Sequence, residues 1–273
     1  MAGMLKRLWN SAPVAAVRAF AAHPLVQRSF VVFTVAVFVY AAWVGLTQAP
    51  PDREMGDVQR IMYAHVPMVQ MMLLAGTILF VCSVLYLFRA SWRTDALAEA
   101  SAELALVYGA IGTTLGAIWG RPTWGVYWAW DPRLTTVAIL LVALAGYLAL
   151  RRFVDDAERR AVWASVTAII IAADVPIIYF SVKWWKSLHQ VQSNPRTVDP
   201  QMVHALRWNI TAFFLVFIVF LVVRYRIALA ARLREVTVPD AQPRAREAVA
   251  SRTRSTPCSP RSARAASGAA GST

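Results

Sequence analysis

The sequence predicts an all-α, polytopic membrane protein with six transmembrane helices. Hydrophobic residues make up 58% of the chain, charged residues only 16%, and the mean hydropathy is +0.48. A hydrocarbon core of about 30 Å is crossed by about 20 apolar helical residues. The stretches that approach this length lie at about 29–46, 66–88, 103–118, 134–150, 163–180 and 208–223.

The distribution of Lys and Arg predicts the orientation of these spans. Twenty of the 28 basic residues fall on one set of flanks, which includes both termini, and eight fall on the other. Because positive charge is retained on the cytoplasmic side, both termini are expected in the cytoplasm. The net charge of +13 then follows from topology and a basic tail, and no nucleic-acid partner is needed to explain it.

The two ends of the chain differ in composition from the spans, which predicts three segments. Residues 1–28 are expected to be a cytoplasmic N-terminal segment with a short interfacial helix, because Arg18, His23 and Pro24 interrupt what would be a signal peptide. Residues 29–226 form the membrane domain, whose longest outward loop is about 181–207. Residues 227–273 are expected to be a disordered basic cytoplasmic tail, since they hold too few large apolar residues to offset the entropy of ordering.

The outward loop between spans three and four, "WGRPTWGVYWAWD", concentrates aromatic residues. Eight of the eleven tryptophans lie at or near the outer boundary. An interfacial belt of indoles is one explanation. A belt, however, does not explain why the indoles concentrate in one loop. Trp124 and Trp128 are expected to share a helical face there, with Trp130 and Asp131 following. The alternative is a platform for a large, planar, apolar ligand.

Three of the four histidines are also expected on the outer side: His65, His189 and His204. A single histidine at a membrane surface is commonly solvated or caps a helix. His65 and His189 differ because each lies in an aromatic neighbourhood and comes from a separate loop. An iron porphyrin is planar, carries anionic propionates and accepts two axial imidazoles. This pair therefore predicts a metalloporphyrin held above the aromatic loop.

Three motifs resemble a known family. "WGRPTWGVYWAWDPRLT" is similar to the W-G-x-x-W-x-W-D signature of the WWD-motif family of haem-handling proteins in cytochrome c biogenesis. "RIMYAHVP" and "SVKWWKSLHQ" resemble the histidine segments of its CcmC group, the haem exporter protein C group. The resemblance covers about 29–226. The related CcmF and CcsA groups have more spans and more histidines, so the length favours CcmC. Pro132 and the long basic tail depart from the pattern.

The resemblance implies a protein of the bacterial inner membrane that holds haem b, as cargo, at the periplasmic face. It implies delivery of that haem to the chaperone CcmE, with the small membrane protein CcmD and the ABC transporter CcmAB as further partners. The positions that match the family's axial ligands are His65 and His189. Those that match its signature are Trp119, Trp124, Trp128, Trp130 and Asp131.

Other polar residues have open roles. Arg121, Arg133 or Lys183, together with indole N–H groups, are candidates to meet the propionates. Asp131 is expected to cap span four or to pair with Arg133, or else to orient the loop or contact the chaperone. His204 is expected to be a solvated loop residue. Asp174, an acid inside span five near Pro176, is expected to make a structural hydrogen bond or to reach water.

Two other functional classes fit less well. A b-type electron-transfer cytochrome would place its histidines in facing helices at membrane depth, and an ion-coupled transporter would show further intramembrane polar residues. Neither explains the tryptophan loop. Cys82 and Cys258 form no CxxCH, so no covalently attached haem is expected. We expect no enzymatic activity beyond promotion of haem ligation.

Overall fold

The computed structural model describes residues 23–189 and 198–237. The described residues up to Arg232 form one compact unit, and those from Leu233 belong to a second. The helices are α1 (Pro24–Trp43, continued by a π-helical turn, Val44–Gln48), a 3₁₀ turn (Asp57–Ile61), α2 (Met62–Phe88), α3 (Trp92–Trp124), α4 (Pro132–Phe153), α5 (Ala157–Ala172), α6 (Asp174–Trp184) and α7 (Pro200–Thr237).

The prediction of six membrane-spanning helices is confirmed. Among the described residues, six helical stretches are long and apolar enough to cross a membrane, with α5 and α6 forming one of them. Most extend well beyond the predicted bounds; α3, for example, has 33 residues. The predicted N-terminal interfacial helix and most of the predicted tail fall at 1–22 and 238–273, which lie outside the described residues. Residues 227–237, predicted to belong to the disordered tail, instead form the end of α7.

Local sequence explains where several helices begin. Asp131 precedes Pro132, and its Oδ1 accepts from the backbone N–H of Leu134 at 2.8 Å. Asp156 caps α5 in the same way, through the N–H of Arg159 at 2.7 Å. The carboxylate of an acidic N-cap accepts from backbone N–H groups of the first turn, which have no partner within the helix. Proline suits the first helical position because its missing N–H would be unpaired there.

The core lies between α2 and α3. These helices present small or flexible side chains to each other, so their backbones approach closely. Buried residues at this contact are Met72, Ala75, Leu79, Ala98, Ala102 and Ala105. Helices α4, α5 and α6 pack around this pair and contribute Leu144, Tyr147 and Ile178. The exposed apolar residues of α1 and α4 are those expected to face lipid.

An ionic cluster joins three helices at the end where α3 begins and α4 finishes. Asp95, on α3, accepts two hydrogen bonds from Arg151, on α4, at 2.8 and 2.7 Å. Arg232, on α7, binds both Asp95 at 3.0 Å and Glu99 at 2.6 Å. Arg151 also donates to the hydroxyl oxygen of Tyr147 at 3.2 Å. We call this region the ionic end.

The fifth span is broken at Ala173, between α5 and α6. Pro176 lacks an N–H and so cannot continue the regular hydrogen bonding of α5. Asp174 begins α6, and its Oδ2 is buried without a hydrogen-bond partner in the described residues. Of the two roles expected for Asp174, a structural hydrogen bond is therefore absent at Oδ2 within the described residues, and access to water stays a prediction.

Candidate functional site

The candidate site lies at the opposite end of the bundle, which we call the aromatic end. It comprises the loops 49–56, 125–131 and 185–189 with the helix ends beside them. The hydroxyl of Thr123 contacts the sulfur of Met55 at 3.8 Å, and Asp131 bonds to Ser187, so the three loops meet. This arrangement brings together the neighbourhoods of both candidate histidine ligands.

His65 lies inside the first turn of α2, whereas the sequence had suggested a position just before the span. The 3₁₀ turn Asp57–Ile61 runs directly into α2, so the helix begins at Met62, before the predicted start of the span at 66. The half-buried imidazole faces α3, where its Nδ1 lies 2.8 Å from the carbonyl oxygen of Gly112. Its ring meets that of Trp119 edge-on, with 5.9 Å between centroids.

The expectation that Trp124 and Trp128 share a helical face is wrong. Helix α3 ends at Trp124 because Gly125 takes a left-handed conformation, with φ of +80°, and closes the helix. Trp128 therefore lies in the loop. The indole of Trp124 folds back over Gly120, where a methyl group would approach it to 2.9 Å. The centroid of the Trp124 ring lies 6.2 Å from that of His189.

Two indole N–H groups of the tryptophan loop have no acceptor. The Nε1 atoms of Trp119 and Trp128 are buried and make no hydrogen bond within the described residues. Trp128 packs edge-on against Trp130, whose side chain is 77% exposed. Buried polar groups are nearly always paired in proteins, so these two donors, one on α3 and one in the loop 125–131, are candidates to bind an acceptor from another molecule.

Asp131 connects the tryptophan loop to the loop that carries His189. Its Oδ1 caps α4, which confirms the N-cap expectation. Its Oδ2 accepts from the hydroxyl of Ser187 at 2.6 Å and from the backbone N–H of Leu188 at 3.0 Å. The Ser187 oxygen in turn accepts from the N–H of His189 at 3.1 Å. The carboxylate therefore holds the His189 backbone beside Trp124.

Arg133 approaches His189 directly. One guanidinium nitrogen lies 3.5 Å from Nδ1 of His189, at the outer limit of a hydrogen bond. It is also close enough to His65 for their charges to interact. The alternative expectation of an ion pair between Asp131 and Arg133 is not met within 4 Å, although the two charges interact at longer range; the carboxylate oxygens accept instead from Leu134, Ser187 and Leu188.

The remaining predicted residues lie around this centre. Arg121 donates to the carbonyl oxygen of Gly125 and lies over the ring of Tyr127. Lys183 lies over the rings of Tyr179 and Phe180. His204 is exposed as expected, but it lies within α7 rather than a loop, because Asp199 caps the N–H of Gln201 at 2.7 Å and Pro200 starts the helix early.

Sequence reasoning missed the residues that orient the two histidines. Gly112 and Gly116 on α3 contact the ring of His65, and Ser187 links Asp131 to His189. A signal for the glycines was present, since Gly112, Gly116 and Gly120 recur at four-residue spacing and so share one face of a helix. No comparable signal marks Ser187, because its partner is 56 residues away.

The arrangement brings two imidazoles and several aromatic rings to one end of the bundle. No group of three or more His, Cys, Asp or Glu side chains with metal-binding geometry occurs among the described residues. A porphyrin brings four nitrogens to its iron, so only two ligands are needed from the protein. The aromatic loop offers ring faces for the apolar part, and the unpaired indole N–H groups and Arg133 suit carboxylates.

Comparison with known proteins agrees with this chemistry. The family described as CcmC, heme exporter protein C, matches residues 9–239. The chain is 37% identical over 185 residues to heme exporter protein C of Bradyrhizobium diazoefficiens, an alignment that covers 64% of this chain and 69% of that protein. It is 33% identical over 181 residues to heme exporter protein C of Escherichia coli, with 66% and 74% covered. A ccmC-like mitochondrial protein of cytochrome c biosynthesis from Marchantia polymorpha is 35% identical over 162 residues, with 59% and 67% covered.

Proposed function

Because the chain belongs to the heme exporter protein C family, we propose that it binds haem and passes it on for cytochrome c maturation. Relatives named heme exporter protein C support a role in haem export, a transfer rather than a catalytic activity. The finer proposal is that haem b is bound as cargo at the periplasmic face of the inner membrane, with His65 and His189 as axial ligands. The recipient is the chaperone CcmE, and CcmD and CcmAB assist.

One observation carries this proposal: a single aromatic segment contacts both histidines. Trp119, on α3, meets His65, and Trp124, at the end of the same helix, meets His189. Asp131, seven residues further on, is bonded to the His189 loop. Two neutral imidazoles fill both axial positions of a haem iron, which suits holding and handing over better than oxygen chemistry.

Absorption spectra of the detergent-purified protein test the ligands. The wild type is expected to carry a Soret band, and His65→Ala and His189→Ala are each expected to lose most of it. His204→Ala is the matched control, since this exposed histidine lies at the same end and contacts only the ring of Trp208 among the ring contacts described. Haem retained at the wild-type level in both single variants would refute the proposed ligands.

Delivery is tested with purified CcmE. Haem-loaded wild-type protein is expected to retain the chaperone on an affinity column and to transfer haem to it, whereas the His65→Ala variant is expected to do neither. If haem stays bound and never reaches the chaperone, the protein acts instead as a b-type haem protein. This assay separates haem binding from haem transfer.

Orientation is tested by cysteine labelling. Cys82 and Cys258 are first replaced, and a cysteine is then introduced at Tyr127, which is 62% exposed at the aromatic end. A membrane-impermeant maleimide is expected to label it in intact spheroplasts. A cysteine at Asp155, exposed between α4 and α5 at the other end, is expected to be labelled only after lysis. The reverse pattern would contradict a periplasmic site.

A further inference from the structure

We propose that Gly116 is a positioning residue for His65 and that, with the carbonyl group of Gly112, it sets this ligand in its iron-binding form before haem arrives. The inference rests on the proposed function, since it concerns one of the two proposed axial ligands. It adds a reason why α3 carries glycine at these positions.

The bond to Gly112 determines which nitrogen of His65 carries the proton. A carbonyl oxygen only accepts hydrogen bonds, so Nδ1, at 2.8 Å, must be the donor. In the neutral ring, the lone pair is then on Nε2, the other nitrogen. Metal-binding histidines commonly donate their second nitrogen to a backbone carbonyl or a carboxylate, which fixes tautomer and ring direction. His65 has this arrangement without a metal.

Gly116 makes that bond geometrically possible. A Cβ atom at this position would lie 2.7 Å from Cε1 of His65 and 3.2 Å from Nδ1. The ring therefore lies directly on the backbone of α3, and any side chain at 116 would push on the atom between the two nitrogens. One turn further along α3, Trp119 contacts the ring edge. The imidazole is thus held at three successive points of one helix face.

Such a fixed ligand lowers the entropy that is lost when iron binds, because the ring does not have to be ordered at that moment. A backbone carbonyl within a helix is also a partner that cannot rotate away. We therefore expect the orientation of His65 to be the same before and after haem is transferred.

The first test measures the wild-type protein without haem and uses a variant only to assign the signal. Nitrogen-15 NMR of labelled histidine, recorded at about pH 8, where an ordinary imidazole is neutral, reports the tautomer. The His65 signal is assigned by its loss in His65→Asn. The expected result is the form protonated at Nδ1. The form protonated at Nε2 would overturn the inference whether or not the protein binds haem.

The second test compares Gly116→Ala with Gly146→Ala. Gly146 lies inside α4, and a Cβ atom there has nothing within 4 Å, so it reports the effect of alanine in a helix without a contact. Gly116→Ala is expected to lower haem affinity at least tenfold and to convert the low-spin, two-histidine spectrum partly to a five-coordinate form that binds carbon monoxide. Gly146→Ala is expected to keep the wild-type spectrum.

The outcomes separate the two proposals. If His65→Ala loses haem but Gly116→Ala keeps the wild-type spectrum and affinity, the positioning role is wrong and the proposed function stands. If the wild type binds no haem, the proposed function fails, and the NMR measurement still decides the geometry of His65. If Gly116→Ala does not fold, the NMR result on the wild type still decides the tautomer of His65, and the form protonated at Nε2 would overturn the inference.

Discussion

The ionic end and the aromatic end of the bundle differ in how far their buried polar groups are paired within the described residues, although Nε of Arg151 has no partner at the ionic end either. At the ionic end, the side chains of Asp95 and Arg151 are each only 2% exposed, and the carboxylate binds two guanidinium groups. At the aromatic end, two indole N–H groups are buried with no acceptor in the described chain. Buried charges that pair within the protein hold its helices together. A buried donor without an acceptor in the protein can instead bind an acceptor from a ligand.

The difference also separates stability from function. The ionic end ties α3, α4 and α7 together through charges that are costly to break. The aromatic end has short connections between loops, and its strongest link is the Asp131 carboxylate. Substitutions at the first end should therefore change stability and leave the ligand spectrum alone. Substitutions at the second should change the ligand spectrum and leave stability nearly unchanged, except where they also remove the helix cap at Asp131.

The largest effect on stability is expected from Arg151→Ala. Removal of one partner leaves a buried carboxylate with less compensation, which costs about 3 kcal/mol, near the lower end of the range because Arg232 still binds Asp95. The thermal unfolding midpoint in detergent should fall, with the haem spectrum of the folded fraction unchanged. Arg152→Ala, at the exposed neighbouring residue, is the control. Equal losses in both variants would contradict a special role for the buried pair.

The next effect is expected from Asp131, where two substitutions separate two roles. Asp131→Asn can still cap α4, since asparagine is as good an N-cap as aspartate, but the NH2 group that then replaces Oδ2 cannot accept from Ser187 or from Leu188. Haem affinity should fall about 10- to 100-fold in Asp131→Asn and Asp131→Ala alike. Only the alanine variant should also lose about 1 kcal/mol of stability.

Haem titration and thermal unfolding, measured on the same preparations, check this separation. Wild-type haem affinity in Asp131→Asn would show that the link to the His189 loop is unnecessary. Ser187→Ala then tests the same link from its other side, because it removes the hydroxyl that joins Asp131 to the backbone of His189.

A smaller effect is expected from removal of the unpaired indole N–H groups. Trp119→Phe and Trp128→Phe keep an aromatic ring but delete a buried donor that has no partner in the protein, so stability should hardly change. If these donors bind the propionates, haem affinity should fall about tenfold in each variant. Trp163→Phe, an exposed tryptophan on α5, serves as the control. Unchanged haem affinity in both variants would exclude a propionate contact by these groups.

The smallest effect is expected from the partly exposed ion pair Glu103 with Arg224. Its two bonds are short, at 2.6 Å each, but the side chains are 22% and 39% exposed, so water screens the interaction. Glu103→Gln should cost less than about 1 kcal/mol in thermal unfolding. A loss as large as that of Arg151→Ala would mean that exposure does not distinguish the two pairs.

Most of the helical layout was predictable because it depends on local composition. Apolar runs of sufficient length predicted the spans, and Asp131 before Pro132 predicted the start of α4. The extended ends were missed because charged residues such as Asp95 and Arg232 reduce the apolar signal. These charges are tolerated within helices because residues on different helices pair with one another. A single stretch of sequence does not reveal this pairing.

The candidate site was partly predictable for the same reason. The spacing of the tryptophans and the two outward histidines identified the residues, but the helical face assigned to Trp124 and Trp128 was wrong because Gly125 ends α3 between them. The predicted axial ligation remains a prediction. The role of Arg133 beside His189 became visible only when loops far apart in sequence were brought together.

By itself, the sequence determined that this chain crosses a membrane, where its spans lie and which loop concentrates the aromatic residues. These properties follow from apolar length and residue type, which act locally. Only the tertiary structure decided that His65 lies against Gly116 and that Asp131 holds the loop of His189. Ring direction and loop position depend on contacts between distant segments, and such contacts exist only once the helices have packed.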